Sequence, residues 1–167
     1  MQRLVGRKLP DVALPSTGGI VERPARMQGS TVIFCYPWTG RPGHPNPPGW
    51  DEVPGAHGST PQALAYSSAH GRFYARGAAL FGLSLQDTGW QNEFATRRGL
   101  PFPLLSDAAR QFSRALGLPM FETGGQDYLE RLTLIARDGV IAGVRYPVSG
   151  PERDAEDVLA LLKHDRL

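Results

Sequence analysis

The run Thr31-Val32-Ile33-Phe34-Cys35-Tyr36 constrains the fold more than any other part of the chain. It is β-branched and aromatic, with no polar alternation, as a central strand buried on both faces would be. Pro37 stops it. A strand hidden on both faces needs structure packed above and below it. The 167 residues suffice for one such core, so a single domain is expected over residues 1–167.

The flanking segments suggest how that strand is covered. Residues 8–21 read as short strands broken by the turn-forming Pro15-Ser16-Thr17-Gly18-Gly19. Residues 38–57 are rich in proline and glycine without periodicity, an insertion too long for an ordinary connection. Residues 60–76 read as a helix with Pro61 in its first turn and Tyr66, Ala69 and Phe73 on one face. A second buried strand follows at 79–85. Thr88-Gly89-Trp90-Gln91 then has capping-box form and opens a helix with Trp90 and Phe94 inward. After a short extended segment at 101–107, Asp107 is placed to cap a helix with the stripe Ala109, Phe112 and Leu116, ended by Gly117 and Pro119.

Residues 131–137 and 140–146 read as strands joined by the hairpin turn Asp138-Gly139. Asp154 begins a last helix with Ala155, Val158, Leu161 and Leu162 apolar and Lys163 and His164 at its negative end. This order predicts an α/β protein with a mixed central sheet and helices on both faces. The thioredoxin-like fold is one such arrangement, with its site at a strand-to-helix junction.

Several functions are disfavoured by composition. The net charge of +2 is small and its arginines are scattered, so nucleic acid is not an expected partner. No stretch is long and apolar enough for a membrane span, and Met1 to Lys8 lacks the apolar region of a signal peptide, so a cytoplasmic location is expected. One cysteine rules out an intrachain disulfide and any cysteine-based zinc site. No metal is expected: His44, His57 and His70 have no ligating pattern.

Three runs carry a resemblance. They are Phe81-Gly82-Leu83-Ser84-Leu85-Gln86 through Glu93-Phe94-Ala95 to Leu100-Pro101-Phe102-Pro103-Leu104-Leu105-Ser106-Asp107; Arg131-Leu132-Thr133-Leu134-Ile135 with Asp138-Gly139-Val140-Ile141; and Gly58-Ser59-Thr60-Pro61-Gln62. With them the chain resembles a peroxiredoxin of the bacterioferritin-comigratory, or Q, branch, from about Gly6 to Leu162. The resemblance implies thiol-dependent reduction of hydrogen peroxide or alkyl hydroperoxides, with no cofactor. The implied electron donor is thioredoxin or another small thiol, and the implied state a monomer or homodimer. In the family the reactive thiol sits at a helix start, where backbone N–H groups and a nearby arginine favour the thiolate. Lowering its pKa from roughly 8.5 to about 6 makes the thiolate the main form at neutral pH.

By resemblance, Ser59 occupies the reactive-cysteine position, Arg131 is the activating arginine, and Pro37, Gly58 and Thr60 belong to the substrate pocket. The departures are as informative. Leu64 stands where a resolving cysteine of the same helix would be, Ala56 falls at the offset of a family threonine, and the 38–57 insertion follows Pro37. A hydroxyl without an activating base is a weak nucleophile, so with Ser59 little or no peroxidase activity is expected. Ser59 is either an engineered exchange or a natural loss of the nucleophile; in both cases it suits a helix N-cap. A redox-inert relative that binds a ligand or protein partner at the same pocket is the alternative.

Other candidates are weaker. Cys35, mid-strand, reads as a buried small hydrophobe. A hydrolase would need Ser59 as nucleophile, His57 as base and Asp51 or Asp107 as orienter, but the Gly-x-Ser-x-Gly elbow is missing. Trp38, Pro47, Pro48 and Trp50 read as a loop packed on its own domain rather than a partner surface.

Overall fold

The computed structural model describes residues 1–164. Its strands are β1 (Leu14–Pro15), β2 (Val21–Glu22), β3 (Ser30–Cys35), β4 (Ala79–Ser84), β5 (Leu104–Ser106), β6 (Met120–Thr123), β7 (Gln126–Leu129), β8 (Leu132–Arg137) and β9 (Val140–Arg145). Its helices are α1 (Ser59–Ala75), α2 (Thr88–Arg98), α3 (Gln111–Leu116) and α4 (Asp154–His164). The expected charges of Lys163 and His164 at the end of α4 lie outside the described side chains.

Five strands form the central sheet in the order β5-β4-β3-β8-β9. β3 runs parallel to β4 and antiparallel to β8, so the sheet is mixed as expected. The β-branched and aromatic run 31–36 supplies most of β3, the central strand of the five. Because side chains alternate across a strand, Val32, Phe34 and Tyr36 join one core cluster with Tyr66 and Phe73 of α1 and Val158 and Leu159 of α4. Ile33 and Cys35 join the other, with Phe112 and Leu116 of α3 and Leu4, Leu9 and Leu14 of the N-terminal segment. Phe34 stacks on Tyr66 at 4.3 Å between ring centroids, which ties α1 to the sheet. Each such buried side chain stabilises the fold by about 1.5–3 kcal/mol.

The β8–β9 turn is the hairpin read from Asp138-Gly139, with φ of 51° and 78° at the two residues. A Cβ on Gly139 would meet the Ala25 carbonyl oxygen at 2.4 Å, so glycine is required there twice over.

Some local expectations are corrected. α2 is capped by Asp87, not Thr88: the Asp87 carboxylate accepts from the Trp90 backbone N–H at 2.7 Å. Trp90 is half-buried, its indole N–H donating to the Thr39 carbonyl at 2.7 Å. Ala109 is exposed and precedes α3, whose buried residues include Phe112 and Leu116. Asp107 does serve this helix, accepting from the backbone N–H groups of Phe112 (3.1 Å) and Ser113 (2.8 Å). β9 ends at Arg145, before Tyr146, and Leu161 is exposed on α4 and does not join the core.

The β6–β7 hairpin was not expected. It turns at Gly124-Gly125 and holds the 38–57 insertion in place. Trp50 is buried in a small core of its own, 5.1 Å from Tyr128 and 5.7 Å from Phe121 between ring centroids. The Thr123 hydroxyl donates to the Pro48 carbonyl. The insertion is therefore packed on its own domain, as the sequence suggested.

Candidate functional site

α1 begins one residue earlier than expected, and that changes the role of its first serine. Gly58 is the N-cap, with φ 115°, and Ser59 is the first helical residue. A Cβ on Gly58 would lie 2.6 Å from Pro151 Cγ, so both backbone shape and space demand glycine. No side chain caps α1, and Ser59 is not its N-cap. The Ser59 hydroxyl points to Arg131 instead, accepting from Nη1 at 3.2 Å.

Arg131 precedes β8 and is only 6% exposed. Its Nη1 also donates to Gln62 Oε1 at 2.7 Å. Its Nη2 donates to the carbonyls of Gly55 (3.3 Å), Ala56 (3.4 Å) and His57 (3.2 Å). All these acceptors are neutral. The guanidinium is thus a buried cation with hydrogen bonds but no carboxylate in direct contact, and burial lowers its pKa to about 10, partly opposed by the Asp154 carboxylate.

A second layer holds this arrangement. Gln62 Nε2 donates to Asp154 Oδ2 at 3.2 Å. The same oxygen accepts from Tyr66 and Thr133 hydroxyls, each at 2.6 Å, while Oδ1 accepts from Arg145 Nε at 2.9 Å. Asp154 is fully buried and links α1, β8, β9 and α4. Gln62, Tyr66, Thr133, Arg145 and Asp154 were not singled out as site residues in the sequence. One signal was available: Gln62 lies three residues after Ser59 and so shares its helix face.

Ser59, Gly58 and Thr60 line an open cavity of about 360 Å³, with Trp38 and Trp50 of the insertion among its other walls. Pro37, expected in the same pocket, is buried and lines a separate cleft on which Trp38 also borders. The cavity combines an arginine-bound side chain at a helix start with aromatic walls. A negative charge at Ser59 Oγ would be stabilised there by Arg131 and by the positive end of α1.

The other nucleophile is elsewhere. Cys35 is fully buried on the sheet face opposite α1, and burial, with help from the Asp107 carboxylate, pushes its thiol far above the usual range. The structure does pair His57 with Asp51, ring nitrogen to carboxylate at 2.7 Å, on an exposed loop. Yet the Ser59 hydroxyl meets a cation, not this imidazole, so no base is in place to activate it. Asp107 is occupied as a helix cap. Among the described residues, no three His, Cys, Asp or Glu side chains are grouped to hold a metal, and no helix is long and apolar enough to cross a membrane.

Comparison with known proteins gives a consistent picture. The family described as Redoxin matches residues 4–161. The chain is 32% identical over 163 residues to the chloroplastic peroxiredoxin Q of Populus jackii, covering 95% of this chain and 67% of that protein. It thus spans about two thirds of the length of such plant relatives. Among solved structures, the bacterioferritin comigratory protein of Xanthomonas campestris superposes with a TM-score of 0.75 at 25% identity, covering 95% of this chain and 96% of that one. A cysteine-to-serine mutant of Xylella fastidiosa PrxQ has a TM-score of 0.78 at 21% identity, covering 96% of each chain, and is a likeness of fold.

Proposed function

The chain belongs to the Redoxin family, as a Q-like peroxiredoxin, and from that membership we propose that Ser59 and Arg131 are its peroxidatic site with oxygen in place of sulfur. The family's reaction is thiol-dependent peroxide reduction. For this chain as it stands, we propose little or no turnover. The observation that carries the reading is the 3.2 Å hydrogen bond from Arg131 to Ser59 Oγ at the head of α1.

The chemistry explains both halves of the proposal. A thiolate at position 59 would attack the terminal oxygen of a hydroperoxide. The O–O bond breaks, the sulfur takes one oxygen as sulfenic acid, and the other oxygen leaves as water or an alcohol after protonation. Arg131 would hold the thiolate and orient the peroxide. A serine hydroxyl has no accessible ionised form near neutral pH and no base beside it, so that first step fails.

The reductant is proposed to be external. Cys35 is the chain's one cysteine and lies buried on the other face of the sheet, so it is not placed to resolve a sulfenate at position 59. Thioredoxin or another small thiol would act from outside, on a monomer or homodimer. The alternative, a redox-inert ligand- or protein-binding relative, is favoured by one feature: the cavity, its arginine and its helix start persist without the sulfur. Both origins of Ser59, engineered or natural, predict the same chemistry.

We propose a single domain that includes the insertion, in a reducing compartment such as the cytoplasm. The chloroplastic assignment belongs to the plant relatives. Peroxide consumption by a Ser59→Cys variant with an added thiol tests the functional reading. Appearance of turnover supports it, and no turnover with the fold intact counts for the redox-inert alternative.

A further inference from the structure

We propose that the cleft on the far side of Trp38 from Ser59 binds a small organic cation, an ammonium carried on an aromatic or short apolar body. This site is separate from the peroxidatic position and does not rest on the reading of Ser59.

The cleft lies between the start of α2 and the β6–β7 hairpin and encloses about 310 Å³, within the range of small-molecule sites. Three aromatic side chains wall it: Trp38, Trp90 and Tyr128. Two carboxylates, Asp87 and Asp127, stand among the lining residues, which include no lysine, arginine or histidine. Asp127 is paired with the Arg110 guanidinium at 2.7 Å, and the Arg41 guanidinium beside Trp90 lies 3.7 Å from Glu93. Asp87 is exposed and accepts from the Trp90 backbone N–H at 2.7 Å, and it forms no ion pair among the described residues. The lining therefore combines three aromatic rings with a carboxylate, Asp87, that has no ion-pair partner among the described residues.

The chain itself supplies an example of the interaction. The guanidinium carbon of Arg41 lies 4.3 Å from the centroid of the Trp90 ring. That indole already serves as a cation acceptor, and a ligand cation in the cleft would meet aromatic surface of the same kind. An anion in the cleft would face Asp87 and meet no lysine, arginine or histidine among the lining residues. The polarity reverses across Trp38, which borders both this cleft and the Ser59 cavity. The Ser59 cavity has the buried Arg131 cation behind it and disfavours a positive ligand. Cations and electron-rich ligands are thus sorted to opposite sides of one tryptophan.

The test uses the full chain and three probes of one shape: 2-phenylethylammonium, neutral 2-phenylethanol and anionic phenylacetate. Titrations are followed by the indole and backbone N–H resonances in NMR spectra. The ammonium is expected to shift the Trp38 and Trp90 indole signals and the Gln126 amide saturably. The alcohol should bind at least about fivefold more weakly, in line with a cation–π and charge contribution of ~1 kcal/mol or more. Phenylacetate should leave these signals unmoved. Asp87→Asn keeps an acceptor that can cap α2 and removes the charge; it should weaken the ammonium about threefold or more and leave the alcohol unchanged. Equal affinity for ammonium and alcohol, ammonium shifts that miss the cleft, or an Asp87→Asn protein that binds the ammonium as before would each overturn the proposal.

Discussion

Arg131 donates from one nitrogen to Ser59 Oγ at 3.2 Å across 72 residues of sequence, joining the start of α1 to the start of β8. This contact brings a buried cation to the point where a helix dipole is most positive. In the described structure its nearest acceptors are all uncharged. A thiolate at position 59 would supply the missing negative partner, whereas a serine hydroxyl supplies only a hydrogen-bond acceptor.

Asp154 holds this arrangement from behind. Asp154→Ala would leave Gln62, Tyr66 and Thr133 donors unpaired and strip Arg145 of a buried partner. Breaking such a buried charge cluster costs about 3–5 kcal/mol. Urea unfolding should show a loss of that size; a change below ~1 kcal/mol would mean that the network does not hold the fold together.

The 38–57 insertion depends on Trp50. Its small core with Tyr128 and Phe121 is separate from the two main clusters. Trp50→Ala should therefore open the loop locally. Amide exchange in residues 38–57 is expected to speed up by about tenfold or more, a gain of ~1.4 kcal/mol in local opening, while β3 and β8 keep their protection. Unchanged exchange in the loop would show that other contacts hold it.

Stability should fall in alkali. Burial holds the Tyr66 and Tyr36 phenols protonated above the ordinary value of 10.0, and the neighbouring Asp154 carboxylate adds to the effect at Tyr66. Once pH passes 10, the unfolded phenols lose protons that the folded ones keep. The stability these phenols contribute is complete below pH 10 and declines above it by ~1.4 kcal/mol per pH unit per group. Arg131 acts in the opposite sense, because its folded value of about 10 lies below the usual 12.5. Tyr66→Phe should lower stability at neutral pH and also flatten its decline between pH 10 and 11 by about one proton's worth. An unchanged slope would place the alkaline loss elsewhere.

Cys35 should be inert in the folded protein. Intact mass after mild peroxide treatment is expected to show no added oxygen, with oxidation appearing once denaturant exposes the thiol. An oxygen gained by the native chain would contradict the buried, protonated state assigned to Cys35.

The sheet was legible in the sequence because its strands are continuous apolar runs, as in 31–36 and 79–85. The β6–β7 hairpin was not, because Phe121 and Tyr128 are interleaved with Glu122, Thr123, Gln126 and Asp127, and the Gly124-Gly125 turn looked like loop. Ser59 and Arg131 were found through family motifs. Their helpers were not, since Asp154 reads as an ordinary helix-start acid and Gln62 as an ordinary helix residue. Only the packing of α1 against α4 and β8 brings Gln62, Tyr66, Thr133 and Asp154 together. Likewise Ser59 looked like an N-cap until the left-handed Gly58 took that position and turned the hydroxyl toward Arg131.

The proposed peroxidatic site keeps the helix start and Arg131 and lacks the sulfur at position 59. Steady-state peroxide consumption with an excess of small thiol should be near background for the chain as it stands and should appear in Ser59→Cys. Adding Arg131→Met to that variant should cut the rate by about 10²-fold, the scale of losing a preorganised charge donor. A folded Ser59→Cys protein without turnover, or one indifferent to loss of Arg131, would contradict the account.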